Sequence, residues 1–156
     1  MHSTPTIRLK HLSHSFVSSW ALKNISLDVT SGEFVFLTGP SGAGKTTLLC
    51  LLHGALPLQR GMASIAGHDL GSLTSSRLHL LRREVTVVFQ DFKVLPQRSV
   101  RENIALPLVV RGFPSAQIHK RVNAVLRGLS LDGKGHTPCG RLSGGDQQRV
   151  AIARSI

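Results

Sequence analysis

A mixed α/β fold is predicted by three features of this chain. Short stretches near its start alternate apolar and polar positions, continuous apolar runs of strand length follow, and a glycine-rich turn stands between one such run and an apolar helical stretch. The 156 residues are 41% apolar and 17% charged, enough for one sizeable hydrophobic core and unlike the composition of disordered chains.

Taken in order, "TIRLKHL" and "NISLDV" place Ile7, Leu9, Ile25, Leu27 and Val29 with the period of half-buried strands, an antiparallel opening. "SGEFVFLTG" then has a turn at Ser31 and Gly32 and an unbroken apolar run over residues 34–37, which predicts a central parallel strand buried on both faces. "KTTLLCLLHG" predicts a buried helix stopped by Gly54. Next come a strand with its turn in "MASIAGHDL", a brief helix in "SSRLHLLRR" and a second buried strand in "EVTVVFQ". Residues 99–129 read as helical, broken at Pro107 and at residues 112–114. In their last part Ser115 is the expected N-cap, with Ile118, Val122, Val125 and Leu129 on one face and His119, Lys120, Arg121 and Arg127 outside it.

The turn "GPSGAGKTT", residues 39–47, fits G-x-x-x-x-G-K-[ST] and lies between a predicted strand and a predicted helix, the context that this phosphate-binding motif requires. Glycines at 39, 42 and 44 let the backbone curl its amides inward, and the helix adds its positive end. A nucleoside triphosphate fits such a cradle. Lys45 would reach the β and γ phosphates and the Thr46 hydroxyl would hold Mg²⁺, with Ser41, Ala43 and Thr47 completing the turn.

Lys and Arg outnumber Asp and Glu by 19 to 8, which favours polyanions, yet the basic residues are scattered and form no run of the kind that marks a dedicated nucleic-acid binder. Cys50 and Cys139 form no CxxC pair and the first ten residues hold no apolar leader segment, so a reducing cytoplasm is expected. No apolar run approaches the ~20 residues of a membrane-spanning helix. The eight histidines (His2, His11, His14, His53, His68, His79, His119 and His136) stand at no matching motif, and His11 with His14 lack the carboxylate or cysteine company of a metal site, so each is expected to be a surface or core residue.

The chain's last stretch, "LSGGDQQRVAIAR", read together with "GPSGAGKTT", resembles the nucleotide-binding domain of ABC transporters. The resemblance covers the whole chain, and Leu142 to Asp146 agree with the family signature LSGGQ at four of five positions. Ser143 and Asp146 have capping-box spacing. The resemblance implies that Ser143, Gly144 and Gly145 meet, in trans, the γ-phosphate held by a second ABC ATPase subunit in a homodimer. It also implies that Gln90, in "VVFQDF", touches Mg²⁺ and senses a transmembrane partner, and that Phe16 or, in competition, Trp20 stacks on adenine. The stretches "SGAGKTTLL" and "VVFQDFKVLPQRSVRENIALPL" are most similar to the cell-division branch of the family, which works with an FtsX-like transmembrane protein from the cytoplasmic face of the inner membrane. Lipoprotein-release and macrolide-export ATPases are the alternative.

Family members continue past the signature helix into a Walker B strand, a catalytic Glu and a switch His. The expected fold class is therefore an α/β P-loop NTPase, an ABC-type nucleotide-binding domain truncated before the Walker B strand. Residues 1–156 form a partial domain, with a helical segment at about 99–141 and the signature at 142–156. No residue within the chain is expected to act as the catalytic base, and a noncatalytic nucleotide-binding fragment is the competing function class. Such a chain is expected to aggregate and to turn over little ATP.

Overall fold

The computed structural model describes residues 6–156, which divide into two units at residues 86 and 87. In the first, β1 (Ile7–Phe16) and β2 (Ser19–Val29) form an antiparallel pair, β3 (Arg60–Ile65) adds to the other side of β1, and β4 (His68–Asp69) lies at the edge. The sheet order is β2-β1-β3-β4. Alternation buries Leu9, and a register shift between Leu9 and Leu12 keeps Leu12 and His14 on the buried face. At that irregularity, with His11 and Asn24 both at positive φ, hydroxyls replace ladder partners. The His11 amide donates to Ser26 Oγ at 3.0 Å and the Asn24 amide to Ser13 Oγ at 2.9 Å.

Helix α1 (Lys45–Leu52) packs Leu48 and Leu51 against Leu9, Leu12, Leu22 and Ala63, forming this unit's core. It ends as the sequence predicts, with Gly54 at φ 69°. The Gly54 amide donates to Leu51 O and that of Ala55 to Cys50 O, the paired bonds of a Schellman ending. After a short turn at Ser75–Arg77, α2 (Leu78–Glu84) buries Leu81, and Arg82 Nη2 donates to Gly54 O at 3.0 Å. Burial, and then the nearby Arg82 charge, hold the His53 imidazole pKa below its usual value.

The two predicted buried strands are not formed. Residues 34–37 and 85–89 carry no ladder among the described residues, and Phe34 and Phe36 are 81% and 80% exposed, their rings edge to face at 4.9 Å. A strand is formed only by pairing with another, and the sheet that forms is antiparallel and enlists neither run. Exposed apolar chain with unpaired amides is a template for association. The isolated 156-residue chain is therefore expected to run as heterogeneous oligomers in size-exclusion chromatography with light scattering, and Phe34→Ser with Phe36→Ser to shift it toward monomer. Unchanged oligomers in the double variant would place the cause elsewhere.

In the second unit α3 (Val100–Val110), α4 (Ser115–Gly128) and α5 (Gly144–Ala153) enclose Val100, Ile104, Val122, Leu126, Leu131 and Val150. Ser99 caps α3 reciprocally: its Oγ accepts from the Glu102 amide at 3.2 Å, and Glu102 Oε2 accepts from the Ser99 amide at 2.7 Å. These bonds hold the Glu102 carboxyl below its ordinary pKa, the Ser99 hydroxyl contributing most.

Two boundaries differ from expectation. α3 runs through Pro107 to Val110, because Val100 and Ile104 anchor it in the core and outweigh one missing backbone bond. Pro114 rather than Ser115 is the N-cap of α4, its φ of −60° already set by the ring, and no side chain caps that end. Val122 and Leu126 form the buried centre of the α4 stripe, flanked by Ile118, Val125 and Leu129.

Candidate functional site

In the glycine turn Gly39, Gly42 and Gly44 all have positive φ. Gly44 has a second constraint. A Cβ there would lie 2.3 Å from the Ala21 carbonyl oxygen, so only glycine lets the start of α1 approach β2 this closely. Gly44 is also the N-cap of α1 and carries no side-chain cap, leaving the first amides of the helix without intrahelical partners. Lys45 folds back over the turn, its Nζ donating to Gly39 O at 2.8 Å and Pro40 O at 2.7 Å. Ser41, Ala43 and Thr46 are exposed and Thr47 is half-buried. The Ala43 amide makes a long turn bond to Pro40 O, 3.3 Å. Open amides, a concentrated positive charge and a hydroxyl side by side suit a phosphate chain with its cation.

Phe16 and Trp20 close the β1–β2 hairpin and both are about half exposed. The Arg60 guanidinium lies 5.3 Å from the centre of the Trp20 ring, and the Phe16 and His14 rings pack in a T-shaped pair with centroids 4.9 Å apart.

In the second unit Gln90 is exposed on a turn in which Phe92 and Lys93 adopt positive φ and the Phe92 amide donates to Phe89 O at 3.0 Å. Phe92 and Leu95, whose place in an apolar loop suggests exposure, are half-buried. The cause is visible. Val94 packs against the helical core, and Asn103 holds Leu95 by both backbone groups, its Oδ1 accepting from the amide at 2.8 Å and its Nδ2 donating to the carbonyl at 3.0 Å.

Ser143 caps α5, its Oγ accepting from the Asp146 amide at 3.3 Å. Gly144 and Gly145 are exposed, and no atom lies within 4 Å of a Cβ built on either, so their side of the helix end is open. The reciprocal half of the predicted capping box is absent. The Asp146 carboxylate takes the Ser143 hydroxyl proton at 3.0 Å, meets Lys134 Nζ at 2.5 Å, and lies 3.5 Å from Arg149. Lys134 first, and then Ser143, hold its pKa below the ordinary carboxylate value. Cys139 shows the opposite case, a thiol pushed up by burial and held as an inert core group.

The structure thus groups Phe16, Trp20 and residues 39–47 in the first unit and Gln90 with residues 143–145 in the second. Lys134 lies in no motif, and Asn103, although inside the stretch that resembles the family, escapes sequence reasoning as a structural residue because its partner Cys139 is distant in the chain. Among the described residues no group of three or more His, Cys, Asp or Glu side chains is placed to hold a metal; His2 lies outside them. No helix of the described residues is long and apolar enough to cross a membrane.

Residues 22–156 match the ABC transporter family. The cell division ATP-binding protein FtsE of Streptococcus pneumoniae is 44% identical over 87% of this chain and 59% of its own length. The methionine import ATP-binding protein MetN 3 of Shouchella clausii is 40% identical over 96% of this chain and 45% of its own. The chain thus spans about half of these relatives, 59% and 45%. Among solved structures, the dimeric post-hydrolysis state of the ATP-binding cassette MJ0796 bound to ADP and Pi superposes with a TM-score of 0.85 at 32% identity, over 96% of this chain and 68% of that one.

Proposed function

This chain belongs to the ABC transporter family, and from that premise we propose that it is the ATP-binding part of a cell-division complex of the FtsE and FtsX type, using ATP to drive a membrane partner. The observation that carries the reading is the cradle at residues 39–47: Gly44 against Ala21, helix amides without a cap, and Lys45 poised over the turn.

Lys45 and the amides of residues 42–45 bind the phosphates, the Thr46 hydroxyl would hold Mg²⁺, and Phe16 receives the adenine. Mg²⁺, when bound, neutralises charge on the β and γ phosphates. Ser143, Gly144 and Gly145 offer donors to the nucleotide of a second, identical subunit. No side chain of the chain is assigned as general base. The protein works at the cytoplasmic face of the membrane, held there by its partner, whose coupling helix docks over residues 90–106.

Docking is checked by crosslinking. Gln97 is exposed in that stretch, so Gln97→Cys, in a Cys50→Ser background, is expected to capture an FtsX-type membrane protein in cells. Capture of a methionine-importer membrane subunit would move the complex to the MetN type, and capture of no membrane protein would overturn the docking assignment.

A further inference from the structure

The signature turn carries a charge that its proposed role does not need. Asp146 is 5% exposed in the first turn of α5, in the same turn as the glycine amides offered to a phosphate, and a bare carboxylate there would repel a triphosphate. Its surroundings answer that difficulty. Oδ2 takes both the Lys134 ammonium at 2.5 Å and the Ser143 hydroxyl at 3.0 Å, and Oδ1 lies 3.5 Å from Arg149 Nη2. Lys134 reaches Asp146 from the separate turn Asp132–Lys134.

We propose that Lys134 is a positioning residue for the signature: it neutralises Asp146 and holds that carboxylate away from the glycine face, so that Ser143 and the amides beside it can engage a phosphate presented by a second copy of the chain. The inference rests on the functional reading above. Ser143 has a single hydroxyl proton and Asp146 accepts it. Because the Lys134 ammonium already satisfies the same oxygen, that proton can turn to an incoming phosphate without stranding a buried charge. Arg149 stands farther off, at 3.5 Å, and does not replace Lys134 in this role. The Lys134 side chain is 46% exposed, so its removal opens no cavity and the fold should survive.

The test uses the protein at its natural length and reads two quantities separately: MgATP affinity of the monomer, and MgATP-dependent self-association by sedimentation. Lys134→Ala is expected to weaken self-association about tenfold, the loss of one charge-assisted contact, and to leave monomer affinity unchanged. Lys134→Arg should restore association. So should Lys134→Ala combined with Asp146→Asn, because the repelling charge is then gone. Association unchanged in Lys134→Ala, while Lys45→Ala loses nucleotide dependence, would overturn this inference alone. A double variant as weak as Lys134→Ala would reduce Lys134 to packing and overturn it too. Lys45→Ala indistinguishable from wild type in both quantities would remove the functional reading, and this inference with it.

Discussion

Lys45→Ala is expected to weaken MgATP binding by about 10- to 100-fold while the chain stays folded. The ammonium sits over the glycine turn, 2.8 Å and 2.7 Å from two backbone carbonyls, so it needs only a short reach to a phosphate chain at the start of α1. Charge-assisted hydrogen bonds contribute about 1.5–3 kcal/mol each, and 1.4 kcal/mol is tenfold in affinity. Leaving the two carbonyls offsets part of the gain, which keeps the expected loss near the worth of one such contact. Truncation also removes the side chain bridging Gly39 and Pro40, so the turn becomes looser as well as less positive. Calorimetry on wild type, Lys45→Ala and Lys45→Arg checks this, with circular dichroism to verify the fold. Equal affinity in all three would withdraw the assignment of residues 39–47 as the nucleotide cradle.

Asn103→Ala should be the most damaging single change in the second unit, destabilising it by about 3–5 kcal/mol. Asn103 is fully buried. Its Oδ1 accepts from the Leu95 amide, and its Nδ2, with two protons to give, lies within reach of the carbonyls of Leu95, Arg98 and Ser99 at 3.0, 3.2 and 3.0 Å and of Cys139 Sγ at 3.1 Å. Alanine would leave the Leu95 amide without its partner, at a cost of about 1–3 kcal/mol where water cannot reach, and would open a cavity at a fully buried position, while the three carbonyls keep their backbone donors. Asn103→Asp keeps the shape and the acceptor but turns an oxygen toward those carbonyls, so it should not rescue. Urea unfolding followed by the helical signal measures both. A loss below about 0.5 kcal/mol, the range of ordinary surface substitutions, would show that the amide clasp adds nothing.

Legibility in the sequence followed the range of the interactions. β1, β2, α1 and α4 declare themselves through local periodicity, and the ending of α1 through Gly54, because the deciding contacts lie within a few residues. The phosphate turn is legible for a related reason: positive φ at residues 39, 42 and 44 and the Lys-Thr pair all fall in one short stretch. Residues 34–37 are apolar as the sequence shows but exposed in the structure, since a parallel strand is covered only by neighbours from remote parts of a chain. Pro107 does not break α3, because core contacts that anchor the helix from outside outweigh the local rule. Lys134 and Asp146 are separated by 12 positions, and Asn103 and Cys139 by 36, with no spacing rule to join either pair. The signature was therefore readable as a motif, while the residue that manages its charge was not.

The short ladder beside Asn103 has a mechanical consequence. Ser99 and Pro138 form an antiparallel bridge, the Val100 amide donates to Thr137 O, and the amides of Cys139 and Gly140 donate to Arg98 O and Pro96 O, all between 2.9 and 3.0 Å. The segment leaving the Gln90 turn and the segment entering the signature are thus bolted to each other, with the Asn103 side chain as a cross-pin. Because the pairing is antiparallel, the chain before Pro96 and the chain after Gly140 leave the ladder at the same end, so the Gln90 turn and the signature are tied to one short crossbar rather than to separate parts of the helical unit.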